Sequence, residues 1–126
     1  MGLRRVKVAI TTNASGDGTG TAPALVVMGH LYAIHWLIGT CAAGVDVTIS
    51  TAGADGAKTL LTLTDANSSA LYYPRDAKHS ETGAALTATL GGDRELPLTT
   101  GRPTVVIAQG GDTKTGYVIF YYLVGE

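Results

Sequence analysis

Three histidines, one cysteine and a few glycine-flanked aspartates are the groups in this chain that could hold a metal or do chemistry. His30 and His35 fall in one β-like run. Alternate side chains of a strand point to opposite faces, so an odd spacing keeps the two apart unless a bulge intervenes. Neither has the neighbouring carboxylate or thiolate that would complete a ligand set. His79 sits among Arg75, Asp76, Lys78 and Glu81, which reads as a solvated loop or a polar contact between subunits. Cys41 has no Lys, Arg or His within five residues to favour a thiolate, so it is expected to be structural. Gly16-Asp-Gly-Thr-Gly20 lacks the Gly-Lys-Ser/Thr of a phosphate loop and leads to Pro23 and a β run, not to a helix. Asp17, Asp55 and Asp112 each adjoin glycine, as turn residues do, and form no Asp-x-Asp-x-Asp series. Asp93 and Glu95 read as turn chemistry. The expectation is no catalytic residue, no metal and no cofactor.

Composition directs attention to contacts instead. Only 15% of the 126 residues are charged, against about 25% in ordinary domains, while 45% are hydrophobic and mean hydropathy is +0.21. Apolar surface on a small domain tends to be covered by other subunits. Net charge is -1, and Arg4-Arg5-Val6-Lys7 is too short a basic run to indicate nucleic acid. Ala24–Ile38 is broken by Gly29, His30 and His35 and is too short to span a bilayer, so no membrane partner is expected. Met1–Arg5 has no apolar core of a secretory signal, and Val6 stands where myristoylation wants Ser or Thr. A soluble protein made in the cytoplasm is expected. One cysteine allows no intrachain disulfide.

The elements that must position these residues read as strands. Val6, Val8 and Ile10 alternate with polar neighbours, as do Val45, Val47 and Ile49. Asn13–Pro23 reads as a long glycine-rich loop, either mobile or an ordered lattice contact, its glycines favouring disorder until something binds. Leu25–Met28 and His30–Ile38 read as one bent strand or two, with the bulge at Gly29. Ala52–Ala57 turns into Thr59–Thr64, where Leu61 and Leu63 share a face. Ala70–Pro74 is a short strand stopped by proline, Arg75–Gly83 a polar loop, Ala85–Leu90 another short strand, Gly91–Glu95 a turn and Leu96–Leu98 a brief pairing. Thr104–Gln109 and Tyr117–Leu123 read as a hairpin around Gly110–Gly116. Its second strand is apolar on both faces, Val118, Phe120 and Tyr122 on one and Tyr117, Ile119, Tyr121 and Leu123 on the other. About eight strands and no helix predict an all-β antiparallel sandwich, jelly-roll-like, in a single domain over residues 1–126.

Aromatic rings are few and clustered. Tyr72, Tyr73 and Arg75 at a strand end are the best candidate contact, with His79, Tyr117 and Tyr121 as further interface candidates, since tyrosine buries area and keeps a polar tip. A sugar-stacking platform using Tyr72, Tyr73 or Trp36 is a rival use of the rings.

Leu31–Trp36, Lys58–Asn67, Leu71–Arg75, Val106–Gly111 and Thr115–Val118 together resemble small virion proteins of tailed bacteriophages and prophages, the likeness running from about Val6 to Tyr122. Among these, head cement (decoration) proteins are the nearest functional match. The resemblance implies a structural protein without catalysis, a homo-oligomer, trimer in preference to dimer, that bridges major capsid protein subunits on the outer surface of the expanded head. A head–tail connector or tail component, or a carbohydrate-binding module of the host-recognition apparatus, is the alternative.

Overall fold

The computed structural model describes residues 2–22, 28–53, 56–77, 94–100 and 102–124. Those residues form eleven strands and no helix. The strands are β1 (Gly2–Thr11), β2 (Gly18–Thr21), β3 (Met28–Leu37), β4 (Asp46–Gly53), β5 (Gly56–Leu63), β6 (Ala70–Tyr72), β7 (Asp76–Ala77), β8 (Arg94–Glu95), β9 (Leu98–Thr100), β10 (Pro103–Ala108) and β11 (Thr115–Val124). A five-stranded antiparallel sheet runs β1-β11-β3-β6, with β9 also on β3; a four-stranded one runs β2-β10-β4-β5; β7 and β8 form a small ladder. The predicted all-β antiparallel sandwich is therefore the fold observed. Its pairing is nested: β1 with β11, β2 with β10, β3 with β6 and β4 with β5, alternate pairs lying in opposite sheets.

Period-2 alternation explains the core. Val8 and Ile10 of β1, Val47 and Ile49 of β4, Val105 and Ile107 of β10, and Val118 and Phe120 of β11 all point between the sheets and join one buried cluster. Each such side chain contributes about 1.5–3 kcal/mol when taken from water. Trp36 closes one end of the cluster, its indole N–H donating to the Ala66 carbonyl oxygen at 3.2 Å.

Several expectations fail for identifiable reasons. The two C-terminal runs are strands but not a hairpin: β10 belongs to the four-stranded sheet and β11 to the five-stranded one. The connection carries three left-handed residues, Gln109 (φ 59°), Gly111 (φ 90°) and Thr113 (φ 51°), which turn the chain out of one sheet and into the other. Both edges of β10 are taken by β2 and β4, and both edges of β11 by β1 and β3. Composition marks two strands and a turn; it does not say whether the turn stays in plane.

The glycine-rich stretch is not a disordered loop throughout. Gly18–Thr21 is β2, paired with Thr104–Ile107. Its glycines are required by close approach of the sheets: a Cβ on Gly20 would stand 2.9 Å from both Val8 Cγ1 and Ile10 Cγ1, and one on Gly18 2.7 Å from the Thr11 carbonyl oxygen. The preceding turn is tied down as well, for the Asn13 side-chain oxygen accepts from the Ser15 and Asp17 amides at 2.9 and 3.1 Å. Thr12, buried, donates to the Gly111 carbonyl oxygen at 2.6 Å and accepts from the Lys114 amide at 2.8 Å.

Gly29 is in regular register with Thr99, and the irregularity in β3 lies elsewhere, at Tyr32: Tyr121 pairs with Ala33 but Tyr122 with Leu31. A second bulge falls at Leu60, between the Ile49–Leu61 and Ser50–Thr59 pairs. It turns Leu60 into the core as well, beside Leu61 and Leu63. Asp76–Ala77 and Arg94–Glu95 pair as strands where loop and turn were expected, and a Lys58–Asp76 ion pair links this ladder to β5. The strand expected over residues 85–90 and the turn residue Asp55 lie outside the described residues.

The tight fit at β2 makes a direct prediction. Gly20→Ala lowers the urea-unfolding free energy by about 1–3 kcal/mol, because the packed side chains must move. Gly2→Ala, whose Cβ meets nothing within 4 Å, leaves it unchanged.

Candidate functional site

Most of the exposed large hydrophobic residues among those described lie on the outer face of the five-stranded sheet. Opposed residues share a face, so the register places Leu3, Arg5 and Lys7 of β1 beside Leu123, Tyr121 and Ile119 of β11, then His30, Ala33 and His35 of β3. Leu71 of β6 follows as the partner of His35. Ile119 is covered here, between Lys7 and His35. Toward the other end the face is open. Of five exposed large hydrophobic residues among those described, four lie here: Leu3, Tyr32, Leu71 and Tyr73. With Ala33 and Tyr121 they line a groove of about 200 Å³.

The bulge at Tyr32 builds this groove. An unbroken strand would send Tyr32 and Ala33 to opposite faces; the extra residue turns both outward while Leu31 and Ile34 stay in the core. Tyr32 then meets Tyr73 edge to face, ring centroids 6.1 Å apart at 89°. A bulge removes a carbonyl from the ladder, and Arg75 supplies the missing donor: its Nη1 donates to the Tyr32 carbonyl oxygen at 2.9 Å and to that of Pro74 at 2.6 Å. The guanidinium also lies 5.5 Å from the Tyr32 ring centroid and 5.8 Å from that of Tyr73. Arg75 thus holds both rings at the rim of an apolar groove, with further N–H donors left over.

The expected interface residues divide accordingly. Tyr73, Arg75 and Tyr121 come together at the groove. Tyr72 does not: it pairs with Ile34 and packs half-buried against the core. Tyr117 shares the outer face but stands four residues along β11 from Tyr121, about 13 Å away, with the Lys7 ammonium 4.5 Å from its ring centroid. His79 lies outside the described residues. Trp36 is fully buried and offers no stacking platform. Tyr32, Leu71 and Leu3 were missed. The last two carry a sequence signal, since each is a large apolar residue at an outward position of a strand, whereas nothing in the sequence marks the bulge.

That bulge also brings His30 and His35 to one face, opposite Leu123 and Ile119. Those partners are four residues apart on β11, so the imidazoles stand about 13 Å apart and share no metal. Among the described residues no three His, Cys, Asp or Glu side chains cluster as a metal site. Cys41 is buried beside Trp36 and Gly116, and burial pushes its thiol up from the ordinary range.

The other outer face is different in kind. Across the four-stranded sheet, Thr21, Thr104, Ser50 and Thr59 form one cross-strand row, and Thr19, Val106, Thr48 and Thr62 the next. One face is hydroxyl-rich; the other is aromatic and grooved. Comparison with known proteins finds no matching family model, no matching curated protein and no matching solved structure.

Cys41 provides a test of this packing. Its raised folded pKa means that the unfolded chain loses the thiol proton first. Stability is then unaffected below the ordinary thiol pKa of about 8.5 and falls as pH rises through the folded value. Urea midpoints measured from neutral to alkaline pH should decline more steeply for the native protein than for Cys41→Ala, and native Cys41 should react with a thiol reagent only after unfolding.

Proposed function

We propose that this chain is a structural protein of a tailed-phage virion, a cement protein that associates with copies of itself, as a trimer, and bridges major capsid protein subunits on the outer surface of the expanded head. The observation that carries the reading is the grooved aromatic face of the five-stranded sheet, set against a hydroxyl-rich face on the reverse. A sandwich with one sticky and one hydroxyl-rich side suits a protein laid flat on a lattice. Exposed tyrosines fixed by an arginine are also the side chains that dominate protein contacts.

Two further observations support it. The nested pairing of eight strands, split alternately between sheets, agrees with a jelly roll, an architecture common in capsid proteins. The resemblance to small phage virion proteins runs through Leu31–Trp36 and Leu71–Arg75, the segments that build the groove. Binding that favours only the expanded shell would stabilise it by mass action, and several contacts per oligomer would multiply modest single-site affinity.

Expanded heads lacking the protein, mixed with purified protein and sedimented, should take it up in proportion to their capsid subunits. Leu71→Ser combined with Tyr73→Ala should reduce occupancy at fixed concentration by about tenfold or more. Absence of uptake, or uptake at a single vertex, would contradict the assignment.

A further inference from the structure

The edges of the two sheets are not equivalent. β2 has four residues, β6 and β9 three each, and β5 is kinked by its bulge at Leu60. Short or bulged edges resist added strands. β1 is the exception: it runs ten residues in unbroken register with β11 and is paired with no other strand among those described; β2 packs against its Ala9–Thr11 end, which leaves Gly2–Lys7 as the open stretch. Such an edge offers a row of main-chain donors and acceptors ready to take another strand.

Charge selects the occupant. β1 carries Arg4, Arg5 and Lys7, all exposed, and no carboxylate. Among the described residues the single ion pair is Lys58–Asp76, so these three cations have no acidic partner there. A second copy pairing edge to edge across a two-fold, centred on residues 4–7, would set cation beside cation, which is destabilising. An extended strand bearing carboxylates meets the opposite situation at every such position.

We propose that the β1 edge binds an extended acidic segment of a partner protein, which joins the five-stranded sheet as a sixth strand. Main-chain hydrogen bonds would supply the affinity, and Arg4, Arg5 and Lys7 the selectivity and the register. The edge adjoins the groove at Leu3 but would be read through its main-chain groups and its cations, so the inference goes beyond the docking face and does not require the virion assignment.

The test uses a short synthetic peptide of alternating valine and glutamate, its lysine counterpart, the acidic peptide N-methylated at alternate residues, and an oligothymidylate, all read by fluorescence anisotropy. The acidic peptide should bind with an affinity that falls with salt, and the lysine and N-methylated peptides about tenfold or more weakly. The variant Arg4→Glu, Arg5→Glu, Lys7→Glu, with unchanged circular dichroism and urea midpoint, should reverse the preference toward the lysine peptide. Equal binding of the N-methylated peptide would show charge attraction without strand addition and overturn the proposal. Equal binding of the lysine peptide, tighter binding of the oligothymidylate, or unaltered preference in the variant would overturn it too. Head sedimentation with groove variants is read separately, so either result can fail alone.

Discussion

Val118 and Phe120 of β11 and Val105 and Ile107 of β10 belong to one buried cluster between the two sheets, and that shared core sets the terms for the rest of the molecule. Strand β11 is apolar on both faces, yet the sandwich has one interior. Its inner face is consumed by the core. Its outer face, with Tyr117, Ile119, Tyr121 and Leu123, must be covered by side chains of neighbouring strands or by another molecule. Lys7 over Tyr117 and the Lys7–Ile119–His35 row cover one end. The other end opens as the groove lined by Leu3, Tyr32, Leu71 and Tyr73.

What makes that leftover surface specific is how it is held. The Tyr32 bulge turns two consecutive residues outward, and the Arg75 guanidinium binds the carbonyl that the bulge displaces. The same cation lies against both tyrosine rings. Rings positioned in this way lose little rotamer freedom on binding, which lowers the cost of forming a contact. Among the described residues, Val106 is the one exposed large hydrophobic on the opposite face, beside the hydroxyl rows. The asymmetry leaves the sandwich one grooved, aromatic face and one hydroxyl-rich face.

Much of the fold was legible because a half-buried strand writes its own period into the chain. Val8 and Ile10, Val47 and Ile49, and the two faces of β11 could be read from alternation alone, and so could the all-β sandwich. Three features were not legible, each for a geometric reason. Whether Gln109–Lys114 turns within a sheet or between sheets depends on backbone angles that composition does not specify. Gly18 and Gly20 look like a flexible loop, yet they pair with β10 as a strand, and the close packing of β1 leaves no room for a Cβ there. The Tyr32 bulge leaves no mark in residue type, yet it moves His30 and His35 onto one face and assembles the groove. Of the site, Tyr73, Arg75 and Tyr121 were anticipated from tyrosine clustering, while Tyr72 beside them turned out to face the core.

The proposed docking to a particle runs through the aromatic face of the five-stranded sheet. Hydroxyl-radical footprinting of free protein and of protein bound to assembled particles, read residue by residue by mass spectrometry, addresses it directly. Strong protection of Tyr32, Leu71, Tyr73 and Tyr121 on assembly is expected, with Val106 on the opposite face still oxidised. Protection of Val106 with the four groove residues left reactive would contradict it.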